Sequence, residues 1–469
     1  MNSTKTIVWK IPVLLFMLIG VTTACIPKTY NDLSCDVPSA AGQSPSLDTP
    51  PEQINISLNI DGSESMPGYL ANGGSRYVKT IELLERTFFI SNSPDLVKYY
   101  RVGGPEKQNI DRSKFLEAKT EIFYREDRVT SNLAGTIIPQ REGKELLVLI
   151  SDLYQNQGDV TALNQKIREH YLNKEGYAAA ILAIRSEFNG TVYVVGSNRE
   201  DFNFLYNTEG KAIEEFRPFY VVFLGPYEHI LYYFNKLKRD GGELMKNSEF
   251  TIFSPSNIVN DLSVIGELTN PDKAIPGLRR PFSLNNGKVA IELPTSQPIE
   301  LLEINRNFQE EIAINYKVSL PILNQYTLPP SANSIQAKIS ESKFFDESTK
   351  ELISPSKEST ISTKLSKSMQ FSDWKPDEKN RELSFKTTIK PSELPQPNIY
   401  FFQVDLIANG LGEQDWWQNW NCEDRACEND GSKTHNLEHF LLGLKSITTD
   451  LMENNPIKFA RLCYAIQKN

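Results

Sequence analysis

The sequence predicts an α/β chain: a doubly wound, mostly parallel sheet followed by a β-rich, sandwich-like module with C-terminal helices. Three observations carry this. Between residues 51 and 245, short apolar runs alternate with segments of helical spacing, the pattern of repeated strand–helix units. Beyond about residue 245 that alternation gives way to period-two segments separated by Pro and Ser clusters. The last residues return to helical spacing.

The first element is an export signal over residues 1–24. Lys5 and Lys10 give a basic start, Ile11 to Val21 is an uncharged apolar run, and Thr22, Thr23 and Ala24 are small. The run would span about 17 Å as a helix, short of a hydrocarbon core of about 30 Å. Cleavage after Ala24 leaves Cys25 first, which resembles the bacterial lipobox, although Thr22 stands where Leu is usual. That resemblance implies lipidation of Cys25 and a membrane-anchored lipoprotein of the bacterial envelope. The chain has five cysteines. With Cys25 lipidated, Cys35, Cys422, Cys427 and Cys463 remain, an even number that suits disulfide pairing in an oxidising compartment. Residues 25–50, rich in Pro, Ser and Asp, read as a disordered tether.

A domain over 51–245 follows. Ile54, Ile56, Leu58 and Ile60 alternate with Asn55, Ser57 and Asn59, a strand whose polar face needs partners if buried. It runs into Asp61-Gly62-Ser63-Glu64-Ser65. Tyr77 to Phe88 has helical spacing, and Glu145 to Ile150 is an apolar run ending at Ser151-Asp152. Asp159 to Tyr171 reads as helix, Tyr177 to Ile184 and Arg217 to Gly225 as strands, and Tyr227 to Lys238 as helix. Residues 185–216 read as an inserted hairpin or lid. Asp61 and Asp152 each follow a strand, and ligands of such sheets bind beyond the strands' carboxyl ends.

The pattern Asp61-x-Ser63-x-Ser65 after one strand, with Ile150-Ser151-Asp152 after a later one, resembles the von Willebrand factor A domain and its metal-ion-dependent adhesion site. The resemblance implies that Asp61, Ser63, Ser65 and Asp152 surround one divalent cation. It also implies a hydroxyl from a second loop, where Ser131-Asn132-Leu133-Ala134-Gly135 is the best match. Ser131 takes the usual Thr position there, with Thr130 as second choice. The residue types suit this chemistry independently, since carboxylates and hydroxyls are hard ligands for Mg²⁺, Mn²⁺ or Ca²⁺. One position would stay open for an acidic side chain of a protein partner. The competing reading is that Asp61 and Ser63 simply cap the following helix.

In the second half, 246–469, Ile312 to Leu320, Ile335 to Ile339, Leu383 to Ile389 and Tyr400 to Leu406 read as strands, and Asp346 to Ser368 as an exposed loop. Asn436 to Leu451 carries a helical apolar stripe, and Ile457 to Ile466 reads as a second helix. Between these regions lie Trp416, Trp417, Trp420, Cys422, Cys427, His435 and His439. The spacing is too short for a zinc finger, so a Cys422–Cys427 disulfide is the expectation, with the tryptophans in a core.

Composition narrows the function. Lys and Arg number 50 against 59 Asp and Glu, a formal charge of −9, which disfavours nucleic acid. No Gly-x-Ser-x-Gly or His-Glu-x-x-His motif occurs, so no enzyme is expected. The reading is an exported, lipid-anchored protein that binds a protein partner through a divalent cation, as adhesion or envelope scaffold. A structural module with a non-functional metal site, or a metal-assisted hydrolase, are the alternatives.

Overall fold

Apolar runs from distant parts of the chain collect into one seven-stranded sheet. The computed structural model describes residues 28–30, 33, 35, 51–71, 73–103, 106–125, 133–139, 143–155, 157–193, 203–255, 266–270, 273–292, 298–319, 326–377, 382–423, 429–454 and 456–469. Strand β1 (Lys28–Tyr30) comes first. Then follow β2 (Asn55–Asp61), α1 (Arg76–Ser91), β3 (Val97–Val102), β4 (Gln108–Ile110), α2 (Arg112–Leu116), α3 (Leu133–Thr136), β5 (Glu145–Ser151), α4 (Gln157–Ile167), β6 (Tyr177–Ser186), β7 (Asn189–Val192), β8 (Phe204–Asn207), β9 (Arg217–Pro226), α5 (Tyr227–Gly241) and β10 (Glu249–Phe253).

The sheet order is β10-β6-β9-β5-β2-β3-β4. Only β2–β3 and β2–β5 pair in parallel. The pairings β5–β9, β6–β9, β6–β10 and β3–β4 are antiparallel. The fold is therefore mixed α/β, and the expectation of a mostly parallel sheet is corrected. β6 and β9 form one long hairpin, Tyr177 opposite Pro226 through to Ser186 opposite Arg217. That hairpin sets β9 between β5 and β6. β10, which follows residue 245, completes the sheet at the β6 edge.

Helix α1 starts at Ser75, whose hydroxyl accepts from the Val78 N–H. Its buried Ile81, Leu84 and Phe88 share a core with Ile230, Leu231 and Phe234 of α5 and with Ile56, Leu58 and Ile60 of β2. The opposite face carries Ser57 and Asn59, both buried. Ser57 donates to the Glu145 carboxylate, and Asn59 Nδ2 donates to the Val148 carbonyl at 3.0 Å, so the polar face does find partners. On this side α4 packs Leu163 and Ile167 into a core that continues into the second half of the chain.

That half holds α6 (Thr360–Lys367), α7 (Asp415–Asn419) and α8 (Leu437–Asn454). α6 and the strand Glu351–Ile353 lie where the sequence suggests an exposed loop. A four-stranded sheet contains Ile312–Ser319, Glu382–Ile389 and Met369–Asp377. It faces a six-stranded sheet in which Ile457–Lys468 lies between Ile299–Ile304 and Asn398–Ala408. Tyr316 and Tyr464 meet between them, ring centroids 6.2 Å apart. The expected second C-terminal helix is thus a strand. Leu462 and Tyr464 are buried on one face, Cys463 and Ala465 on the other, so period two is masked.

Part of the segment expected to be a tether is folded. β1 pairs in parallel with Val289–Glu292, and Leu33 and Cys35 are buried in a third core with Ile299, Phe401 and Ala465. A disulfide joins Cys35 to Cys463. Cys422 is also disulfide-bonded. Cys25 and Cys427 lie outside the described residues. Trp416, Trp417 and Trp420 are core residues, with Trp417 against Phe253 at 5.6 Å. No described helix is long and apolar enough to cross a membrane.

Candidate functional site

The chain leaves β2 toward β3 on one side and later returns as β5 on the other. The reversal falls between β2 and β5, where open α/β sheets form a crevice at the strands' carboxyl ends. Asp61 closes β2, and Ser151-Asp152 closes β5. Parallel pairing in register, Ile60 opposite Ile150, brings the two loops together.

Asp61 is fully buried, and Asp152 and Ser63 nearly so. Asp61 Oδ1 accepts from the Ser63 N–H at 2.9 Å, and Oδ2 accepts from the Ser151 hydroxyl at 2.7 Å. The Ser63 and Ser65 hydroxyls are 3.2 Å apart. Asp152 Oδ1 accepts from the Tyr154 N–H at 3.3 Å. Burial, and then the Asp152 carboxylate, push the Asp61 carboxyl up to about 6. Two acidic groups are thus held together in a dry place.

The backbone fits tightly around them. Gly103, after β3, has φ +104, and a Cβ there would lie 2.8 Å from Asp61 Oδ1. Leu153, directly after Asp152, takes the left-handed conformation with φ +49, unusual for a branched residue and a form of strain found at functional loops.

The sequence offered no sign of Arg217, the first residue of β9. It is 1% exposed, and its Nη2 lies 3.1 Å from Asp152 Oδ2. The Tyr154 and Phe188 rings each sit 5.1 Å from its guanidinium. Burial opposes its charge, but Tyr69 and Asp152 beside it outweigh burial, and the guanidinium stays firmly protonated. Only the β6–β9 hairpin brings this strand start to the site, so no local spacing could announce it.

The inserted segment is a hairpin, β7–β8, leaning on the first loop. A Cβ at Gly190 would meet Gly68 Cα at 2.8 Å, which requires glycine at this approach. A polar cavity of about 270 Å³ opens at its base, lined by Glu187, Asn189, Asn207 and Lys211 among others. The C-terminal half closes the other flank. Tyr220 donates to Thr434 at 2.9 Å, and the His435 ring lies 5.8 Å from Tyr154.

Thus the structure brings Asp61, Ser63, Ser65 and Asp152 into one neighbourhood, while Thr130 and Ser131 lie outside the described residues. Among the described residues no group of three or more His, Cys, Asp or Glu has metal-holding geometry. The Asp61 neighbourhood supplies two carboxylates and adjacent hydroxyls instead. Hard oxygens around an excess of buried negative charge fit Mg²⁺, Mn²⁺ or Ca²⁺. No known protein family, curated protein or solved structure matches the chain.

Proposed function

We propose that this is an exported, lipid-anchored protein with a von Willebrand A-type domain, which captures a protein partner by an acidic side chain through a divalent cation. Asp61, Ser63, Ser65 and Asp152 would hold the ion, with Thr130 or Ser131 from the second loop. The observation that carries this reading is the meeting of Asp61 and Asp152 at the sheet's switch point, where Asp61 is pushed up to about 6 by burial and by its neighbour. A cation relieves that repulsion, and hydroxyl ligands leave enough net charge for an anionic partner. The core of three parallel strands, β3, β2 and β5, supports it too; the antiparallel strands beyond β5 are a departure.

The Arg217 contact with Asp152 favours a second reading, a structural module whose acidic site is satisfied internally. Partner capture separates the two. The cation reading expects Asp61→Ala and Asp152→Ala to abolish Mg²⁺-dependent capture from envelope extracts while the fold persists. Recovery of the same partners in EDTA would leave the structural reading standing. Cys25→Ser should release the protein from membranes, and unchanged retention would remove the lipid anchor.

A further inference from the structure

Arg217 is a whole positive charge sealed into the candidate site. Its Nη2 contacts Asp152 Oδ2 at 3.1 Å, with Asp152 4% exposed at the side chain. Its Nη1 lies 3.5 Å from the Gly431 carbonyl, in the segment before α8. Its Nε has no hydrogen-bond partner among the described residues. A guanidinium placed only to tie strands together would use its donors on carbonyls; this one turns a donor to a candidate cation ligand.

We propose that Arg217 is the built-in counter-cation of the site: it neutralises Asp152 and so sets how tightly a divalent cation binds and what charge the loaded site shows its partner. The inference rests on the cation reading above. With Arg217 present, the two carboxylates face a guanidinium and a divalent ion, and the loaded site is net positive. Without it they would balance the ion alone. Arg217 therefore weakens cation binding and leaves a positive centre that needs an acidic ligand. The net positive charge left over, held in a buried setting, attracts an anion.

The test is calorimetric titration of the full chain with Mg²⁺ alone, supported by thermal melts in Mg²⁺ and in EDTA. Arg217→Met, similar in length and uncharged, should bind Mg²⁺ at least about tenfold tighter than the parent, a change of about 1.4 kcal/mol. Its melting temperature should also gain more from Mg²⁺. Arg217→Lys keeps the charge and should stay near the parent. If Arg217→Met folds only with Mg²⁺, that rescue supports the proposal. If it fails to fold even in Mg²⁺, or binds the ion no tighter than a parent that does bind, the proposal falls while the cation reading survives. If neither parent nor Arg217→Met binds Mg²⁺, both fall together. If only the variant binds, Arg217 occupies the cation's place in the parent, and both the proposal and the cation reading give way to the structural reading.

Discussion

Arg217 Nη2 sits 3.1 Å from Asp152 Oδ2 with both side chains nearly sealed from solvent, and neither charge has water to fall back on. Removing one partner strands the other, at a cost of about 3–5 kcal/mol. Asp152→Asn and Arg217→Met should each be destabilised by that order in EDTA. The double variant should recover part of the loss. A thermal or urea double-mutant cycle reads this, and strictly additive losses would refute the coupling.

Asp61 predicts an unusual pH dependence. Its carboxyl titrates at about 6 in the folded chain against an ordinary 3.8, through burial and the nearby Asp152. The folded state therefore binds the proton more tightly than the unfolded one. Asp61 costs nothing below pH 3.8, and its burden grows up to about 6 and then stays constant. Asp61→Asn should gain stability over the parent across that window in EDTA, by at most roughly 3 kcal/mol. Urea melts at pH 4 and pH 7 test it; a gap that does not widen would contradict it.

Gly103 and Gly143 make a matched pair. Both have positive φ, +104 and +91, but only at Gly103 would a Cβ strike Asp61, whereas the Gly143 position is open. Each Gly→Ala should cost about 1–3 kcal/mol in backbone strain. Only Gly103→Ala should also weaken Mg²⁺ binding. Equal binding by the two variants in calorimetry would sink the claim that Gly103 shapes the site.

The Cys35–Cys463 disulfide ties the segment that follows β1 to the strand Ile457–Lys468. Lys28 begins β1 only three positions after Cys25, so a lipid on Cys25 would hold the β-rich half within about 10 Å of the leaflet. A protease site engineered between residues 36 and 50 should, once cut, leave the body on membranes until a reductant is added. Release before reduction would argue against the linkage. Cys463→Ser should lower stability by about 2–5 kcal/mol.

The strand β2, helix α1 and strand β5 were legible because local patterns betray them: Ile56, Leu58 and Ile60 alternate, and the apolar positions of α1 recur with helical period. Asp61 and Asp152 were legible because each ends such a strand. Strand direction was not. The runs in β6 and β9 are buried on both faces, and such a run reads the same whether its neighbour is parallel or antiparallel. For the same reason Ile457–Lys468 passed for a helix.

The strand–helix units, the two acidic loop positions and the polar face of β2 are all written in spacing over a few residues. That β9 returns antiparallel beside β5 emerges from the assembled sheet alone. With it came Arg217 against Asp152, Gly103 against Asp61, the docking of Lys28–Tyr30 and the pairing of Cys35 with Cys463. Each of these joins residues far apart in the chain, and their meeting depends on how buried surfaces pack, which no short window of sequence records.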